Sequence, residues 1–156
     1  MQSKLLDKNF ILSNGIEYDE LGVDYDRFGD KEFIISEGKE IFFSGITYSL
    51  FPNGNLEFYA FFRDGFKEGD FVEFYNDNKI KSMQYRKRGR TYGFRRIWHN
   101  NGVLKSEFNY EYGVCLTFKE WNEEGILIEE KLKPTEDDIK LRNSQEKWYK
   151  EAIGRE

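Results

Sequence analysis

Residues 45–65 read GITYSLFPNGNLEFYAFFRDG, residues 69–89 read GDFVEFYNDNKIKSMQYRKRG, and residues 93–113 read GFRRIWHNNGVLKSEFNYEYG. A fourth, shorter copy, LTFKEWNEEGILIEEKL, occupies residues 116–132. The period is 24 residues: Gly45, Gly69 and Gly93 are spaced by it, and so are Gly65, Gly89 and Gly113. Gly54, Asn78 and Gly102 form a third column, which Gly125 continues after a one-residue deletion. A fixed period in this range marks a stack of one supersecondary unit. Stacked units build long, regular surfaces more readily than deep catalytic pockets.

The unit reads as a β-hairpin. Each copy starts with a short aromatic-rich run, turns at PNG, NDN, NNG or EEG, and runs out again with partial alternation. Leu50, Phe74, Trp98 and Trp121 share a column before the turn, and Leu56, Ile80, Leu104 and Leu127 share one after it. Apolar residues flanking Asn/Gly corners are the mark of antiparallel hairpins. Gly or Asn at the corner supplies the positive φ that a branched residue reaches only at a cost. Gly65 to Gly69 and Gly89 to Gly93 read as connections between successive hairpins. Leu116 stands where the pattern expects Gly, a local irregularity in the fourth unit. The expected fold is all-β, an elongated open antiparallel sheet of stacked hairpins with a C-terminal α-helix.

The pattern G-x-x-x-x-aromatic-x-x-x-G-x-L, closed by aromatic-x-x-G, resembles the variant MORN repeat. The wider arrangement resembles the YwqK-family antitoxins of bacteria, many of which are immunity proteins against polymorphic toxins. In that family a GKPFTG-like segment precedes the first repeat, and Gly38-Lys39-Glu40-Ile41-Phe42-Phe43-Ser44-Gly45 holds that place here. WxxNG and LKSExNY phrases match Trp98 to Gly102 and Leu104 to Tyr110. The resemblance spans roughly residues 38 to 132. The second repeat departs most, with Asn78 at the turn and Arg86 in place of the aromatic three before Gly89. The resemblance implies a stoichiometric antitoxin or, alternatively, a MORN-type scaffold or a module that associates with anionic membranes.

One domain is expected for 156 residues, with 1–37 as an acidic N-terminal cap, four repeats over 38–132 and a helix over 135–153. Phe10-Ile11-Leu12 and Phe33-Ile34-Ile35 read as short strands of the cap. Pro134 ends the last strand, and Thr135 with Asp138 resembles a capping box. Leu141, Trp148, Tyr149 and Ala152 form a stripe expected to pack on the final hairpin. Aromatic residues make up 18% of the chain, too many for a disordered one. No apolar run reaches the roughly 18 residues of a membrane span. The segment MQSKLLDKNFILSNG is broken by Asp7 and Asn9, against a secretory signal. A single Cys115 suits a reducing compartment, so a cytoplasmic location is expected.

Chemistry-bearing residues are sparse. His99 is the only histidine and shares the column of Phe51 and Tyr75, so a structural role is expected. Cys115 reads as a small buried group and Glu123 with Glu124 as solvated turn residues. No phosphate-cradling loop, dinucleotide loop or zinc spacing occurs in the sequence. The sequence expectation is no catalytic residue, no cofactor and no metal.

Charge is distributed in blocks. Residues 17–40 hold nine acids against three bases, residues 79–105 hold nine bases and no acid, and residues 106–156 hold thirteen acids against eight bases. A formal net charge of −5 conceals this split. Tyr85, Tyr92, Phe94 and Trp98 interleave with the basic block, which reads as a solvated face, a protein-docking surface or a binder of single strands or anionic lipid. Direct nucleic-acid binding is not expected of a chain with this net charge. The acidic, tyrosine-bearing stretch has the composition to occupy the positive groove of a nucleic-acid-directed toxin. The candidate partner-binding residues are therefore Tyr18, Asp19, Glu20, Asp24, Tyr25 and Asp26 in the acidic block, and Arg86, Arg88, Arg95 and Arg96 in the basic one. The expected partner is a cognate protein toxin.

Overall fold

The structure, a computed structural model, describes residues 5–26 and 29–154, the side chains of 24–26 and 30 excepted. Eight strands form a continuous antiparallel meander: β5 (Gly45–Leu50), β6 (Leu56–Arg63), β7 (Phe66–Phe74), β8 (Ile80–Lys87), β9 (Arg90–Trp98), β10 (Leu104–Glu111), β11 (Val114–Trp121) and β12 (Leu127–Lys131). They precede α2 (Glu136–Ile153) and follow α1 (Lys8–Asn14), β1 (Gly15–Glu17), β2 (Gly22–Asp26), β3 (Gly29–Ser36) and β4 (Lys39–Phe42). The short β1 adds to β5 in parallel, which makes a nine-stranded open sheet mixed at one edge. No helix among the described residues is long and apolar enough to cross a membrane.

The repeat is written into the register. Leu50 pairs with Leu56, Phe74 with Ile80, Trp98 with Leu104 and Trp121 with Leu127, each pair beside a bulge. All four corners close alike. Phe51, Tyr75, His99 and Asn122 each accept from the residue three on and donate to the carbonyl four on. Gly54, Gly102 and Gly125 have φ of 86°, 89° and 83°, and Asn78 takes the same place at 72°. Asn is the side chain that enters this region most readily, which is why the second repeat tolerates the exchange.

The connections between hairpins are tighter than the sequence suggested. The turns are the two-residue steps Asp64-Gly65, Arg88-Gly89 and Tyr112-Gly113, with both φ values positive in each, as hairpin twist favours. Gly69 and Gly93 instead lie inside β7 and β9. Between Phe62↔Lys67 and Ala60↔Phe71 one strand advances by four residues while its partner advances by two, and the same holds between Arg86↔Thr91 and Gln84↔Arg95. These are two-residue bulges, and Gly69 and Gly93 accommodate them at φ 111° and 81°. The fourth repeat steps from Tyr110↔Cys115 to Asn109↔Thr117, a bulge of one residue. Its deletion therefore shortens a bulge and leaves the pairing intact, and Leu116 needs no positive φ.

The N-terminal region differs from expectation in two ways. Phe10-Ile11-Leu12 is helical because Asp7 caps α1, accepting from the backbone N–H of Asn9 and Phe10. β4 does not open the repeat stack but joins β3 and β2 in a separate three-stranded sheet. That sheet hooks onto the first tight turn. Gly65 donates to the Phe43 carbonyl, Glu32 donates to the Gly65 carbonyl, and an added Cβ at Gly65 would stand 3.0 Å from the Lys31 side chain.

Two cores result. On one face of the sheet α1 inserts the fully buried Ile11 among Ile46, Leu56, Tyr59 and Val72, with Leu50 and Phe74 packed against them. On the other face Phe43, Ala60 and Phe62 pack with Ile16, Tyr18, Leu21, Ile34 and Phe71. Each fully buried large side chain contributes roughly 1.5–3 kcal/mol. At the far end α2 begins with a full capping box between Thr135 and Asp138. The helix lies against the tight turns as well as the last hairpin. Tyr149 meets Tyr112, Arg90 stacks on Trp148, and Arg142 pairs with Glu111. Of the expected stripe, Ala152 is buried while Leu141 stays half exposed.

Candidate partner-binding surface

α1 covers only the β5–β7 part of its face. Beyond it, alternation projects Met83 and Tyr85 from β8 and Phe94, Arg96 and Trp98 from β9 on the same side, with Met83 opposite Arg96 in register. Together with Val72 and Asp70 they line an open groove of about 460 Å³. Tyr85 is 44% and Phe94 53% exposed, large values for aromatic residues in strands. Arg96 extends over the Phe94 ring at 4.9 Å while its Nε donates to Glu107 at 2.9 Å. The groove thus combines a positioned guanidinium with tyrosine, tryptophan and exposed phenylalanine. Protein interfaces draw most of their energy from such residues.

The basic candidates do not act as one patch. Arg96 belongs to this groove, whereas Arg86 and Arg95 project from the opposite face, since Gln84 pairs with Arg95 and Arg86 with Thr91. There Arg86 lies 5.6 Å above Phe71 and Arg95 5.9 Å above Phe108. The Nε of each is buried without an acceptor among the described residues, although Arg86 Nη1 donates to the Gly89 carbonyl at 2.9 Å. Burial first, and the neighbouring Arg95 second, hold the Arg86 guanidinium below its ordinary pKa. Arg88 is a turn residue: it is buried, has φ 47°, stacks on Phe66 at 4.3 Å and donates its backbone N–H to Glu68.

The acidic candidates also separate. Tyr18 packs inward, donating to Glu32 at 3.1 Å and meeting Phe58 edge-on. Asp19 and Glu20 are exposed on the short 3-10 turn that follows β1. Asp24, Tyr25 and Asp26 occupy β2, and their side chains lie outside those described.

His99 is a structural member of the repeat. Its Nε2 lies 2.9 Å from the Trp121 carbonyl, which only accepts, so the ring carries its proton there. Tyr75, one repeat earlier, likewise donates its hydroxyl to the Trp98 carbonyl at 2.7 Å. Cys115 is half-buried, and burial pushes its thiol pKa up. Glu123 and Glu124 are exposed in the last corner.

Sequence reasoning named Arg96 and grouped Tyr85, Phe94 and Trp98 with the basic block, but it left out Met83 and did not place the set on one face. The signal was present in the alternation Met83-x-Tyr85 and Phe94-x-Arg96-x-Trp98. Which face stays open is decided by α1, which lies more than 60 residues away in sequence. No family model, curated protein or solved structure matches this chain.

Proposed function

We propose that this chain is an antitoxin, or immunity protein, that neutralises a cognate bacterial toxin domain by occupying its surface and not by chemistry on it. The observation that supports this reading is the uncovered groove with exposed Tyr85 and Phe94 beside Arg96. Exposed aromatic area of this kind on a rigid sheet is typical of a surface that is covered by a partner. The repeat resemblance supplies the class of partner. Exposed Asp19 and Glu20 lie elsewhere and serve to steer a positively charged toxin during approach, a long-range role that salt screens.

Co-expression tests the proposal. Each toxin-like domain encoded beside this gene is induced with and without the protein in a sensitive host. Survival that depends on the protein, and is lost in Tyr85→Ala/Phe94→Ala, supports it. Equal death with and without the protein, across all neighbouring candidates, refutes it and leaves a scaffold or membrane module as the better reading. Asp19→Lys/Glu20→Lys is expected to slow association and flatten its salt dependence while leaving dissociation nearly unchanged.

A further inference from the structure

The two ends of the repeat sheet are treated differently. At the β5 end, β1 pairs with the edge and α1 packs beside it. At the other end β12 is the last strand, and no described strand pairs with its outer side. α2 makes its main contacts with β11, and its Asp138 reaches Lys131 of β12 at 2.5 Å. Repeat stacks ordinarily carry a polar cap at each end, because a bare edge offers unpaired N–H and C=O groups to another chain. Here the bare edge is also apolar: Ile126 is 57%, Ile128 62% and Leu132 64% exposed.

We propose that two copies of this chain associate through the free edges of their β12 strands, antiparallel and in register about Glu130. The sequence of the edge is complementary to itself in that register. Ile128 falls opposite Leu132 of the second copy and Glu129 opposite Lys131. A slip of one residue in either direction sets Ile128 against a lysine, Lys131 or Lys133. The ladder ends where Pro134, which has no N–H, meets Ile126. The two Glu130 carboxylates meet at the centre, and each is neighboured by Lys119 of its own chain, its partner in the β11–β12 register. Apolar contact and backbone pairing supply the attraction, and the crossed Glu129–Lys131 pairs, in which Lys131 is shared with Asp138 of its own chain, fix the alignment.

Sedimentation equilibrium of the full chain from about 1 µM to about 500 µM, a range that brackets weak edge pairing, is expected to show a monomer–dimer equilibrium. Ile128→Lys should weaken it by tenfold or more, with circular dichroism confirming an unchanged fold. Register is read by oxidation in a Cys115→Ser background. A mixture of Ile128→Cys and Leu132→Cys chains should form mixed disulfide dimers in preference to either like pair. A monomer at all concentrations, a dimer insensitive to Ile128→Lys, or like-pair cross-links that equal the mixed ones would each overturn the proposal.

Discussion

Replacing Gly102 isolates the physics that sets the repeat corner. Its φ is 89°, and an added Cβ would find nothing within 4 Å. Steric clash with neighbours is therefore absent, and any cost comes from the backbone alone. For an L-residue in this left-handed region that cost is about 1–2 kcal/mol, offset in part by the smaller entropy of the unfolded chain. Branching at Cβ places Val at the upper end. Asn should fall near zero, because Asn78 already fills the equivalent corner at 72°. The order expected in urea titrations is Gly102→Asn, then Ala, then Val, with Val lowering the thermal midpoint by roughly 5 °C in a domain of this size. Asn78→Gly should be close to neutral. The reasoning fails if Gly102→Val and Gly102→Asn cost the same, or if Asn78→Val is harmless.

Ile11→Ala should cost about 3 kcal/mol in the same titration, since a fully buried side chain is lost and the sheet cannot collapse onto the space. Arg95→Gln should stabilise by up to about 1 kcal/mol at low salt, and by less as salt rises, because it relieves Arg86 of a like charge. Destabilisation at all salt concentrations would show that the contact with Phe108 dominates. Lys131 first and the Thr135 N–H second hold Asp138 below its ordinary 3.8, and Lys150 and Arg142 hold Glu146 below its ordinary 4.5. A folded pKa below the unfolded one contributes stability that is complete above the unfolded value and is lost as pH falls through the folded one. Acid melting curves should therefore lose midpoint progressively below those values, and Asp138→Asn should flatten the slope.

The repeat stack was legible because its causes are local. Glycine and asparagine at the corners, and leucine or tryptophan pairs around them, fix strand after strand without help from distant residues. The cap was not. Phe10-Ile11-Leu12 is a run too short to distinguish strand from helix, and the deciding feature is the single carboxylate of Asp7. Gly69 and Gly93 carry the same letter as the turn glycines, so bulge and turn cannot be separated before the pairing is known. The charge blocks misled more. Neighbours in sequence such as Arg95 and Arg96 face opposite sides of a strand, so a basic stretch of chain is two surfaces in the fold. The open groove arises because α1 is long enough to cover three strands and no more.

Titrating the cognate toxin domain with this protein tests the central claim most directly. Toxin activity should fall in proportion to the protein added and vanish at one molecule of protein per toxin. Tyr85→Ala/Phe94→Ala, folded as judged by circular dichroism, should leave the toxin active at that ratio. Activity that persists at a large excess of the native protein, or inhibition unchanged by loss of both aromatic rings, would contradict a groove-mediated, stoichiometric antitoxin.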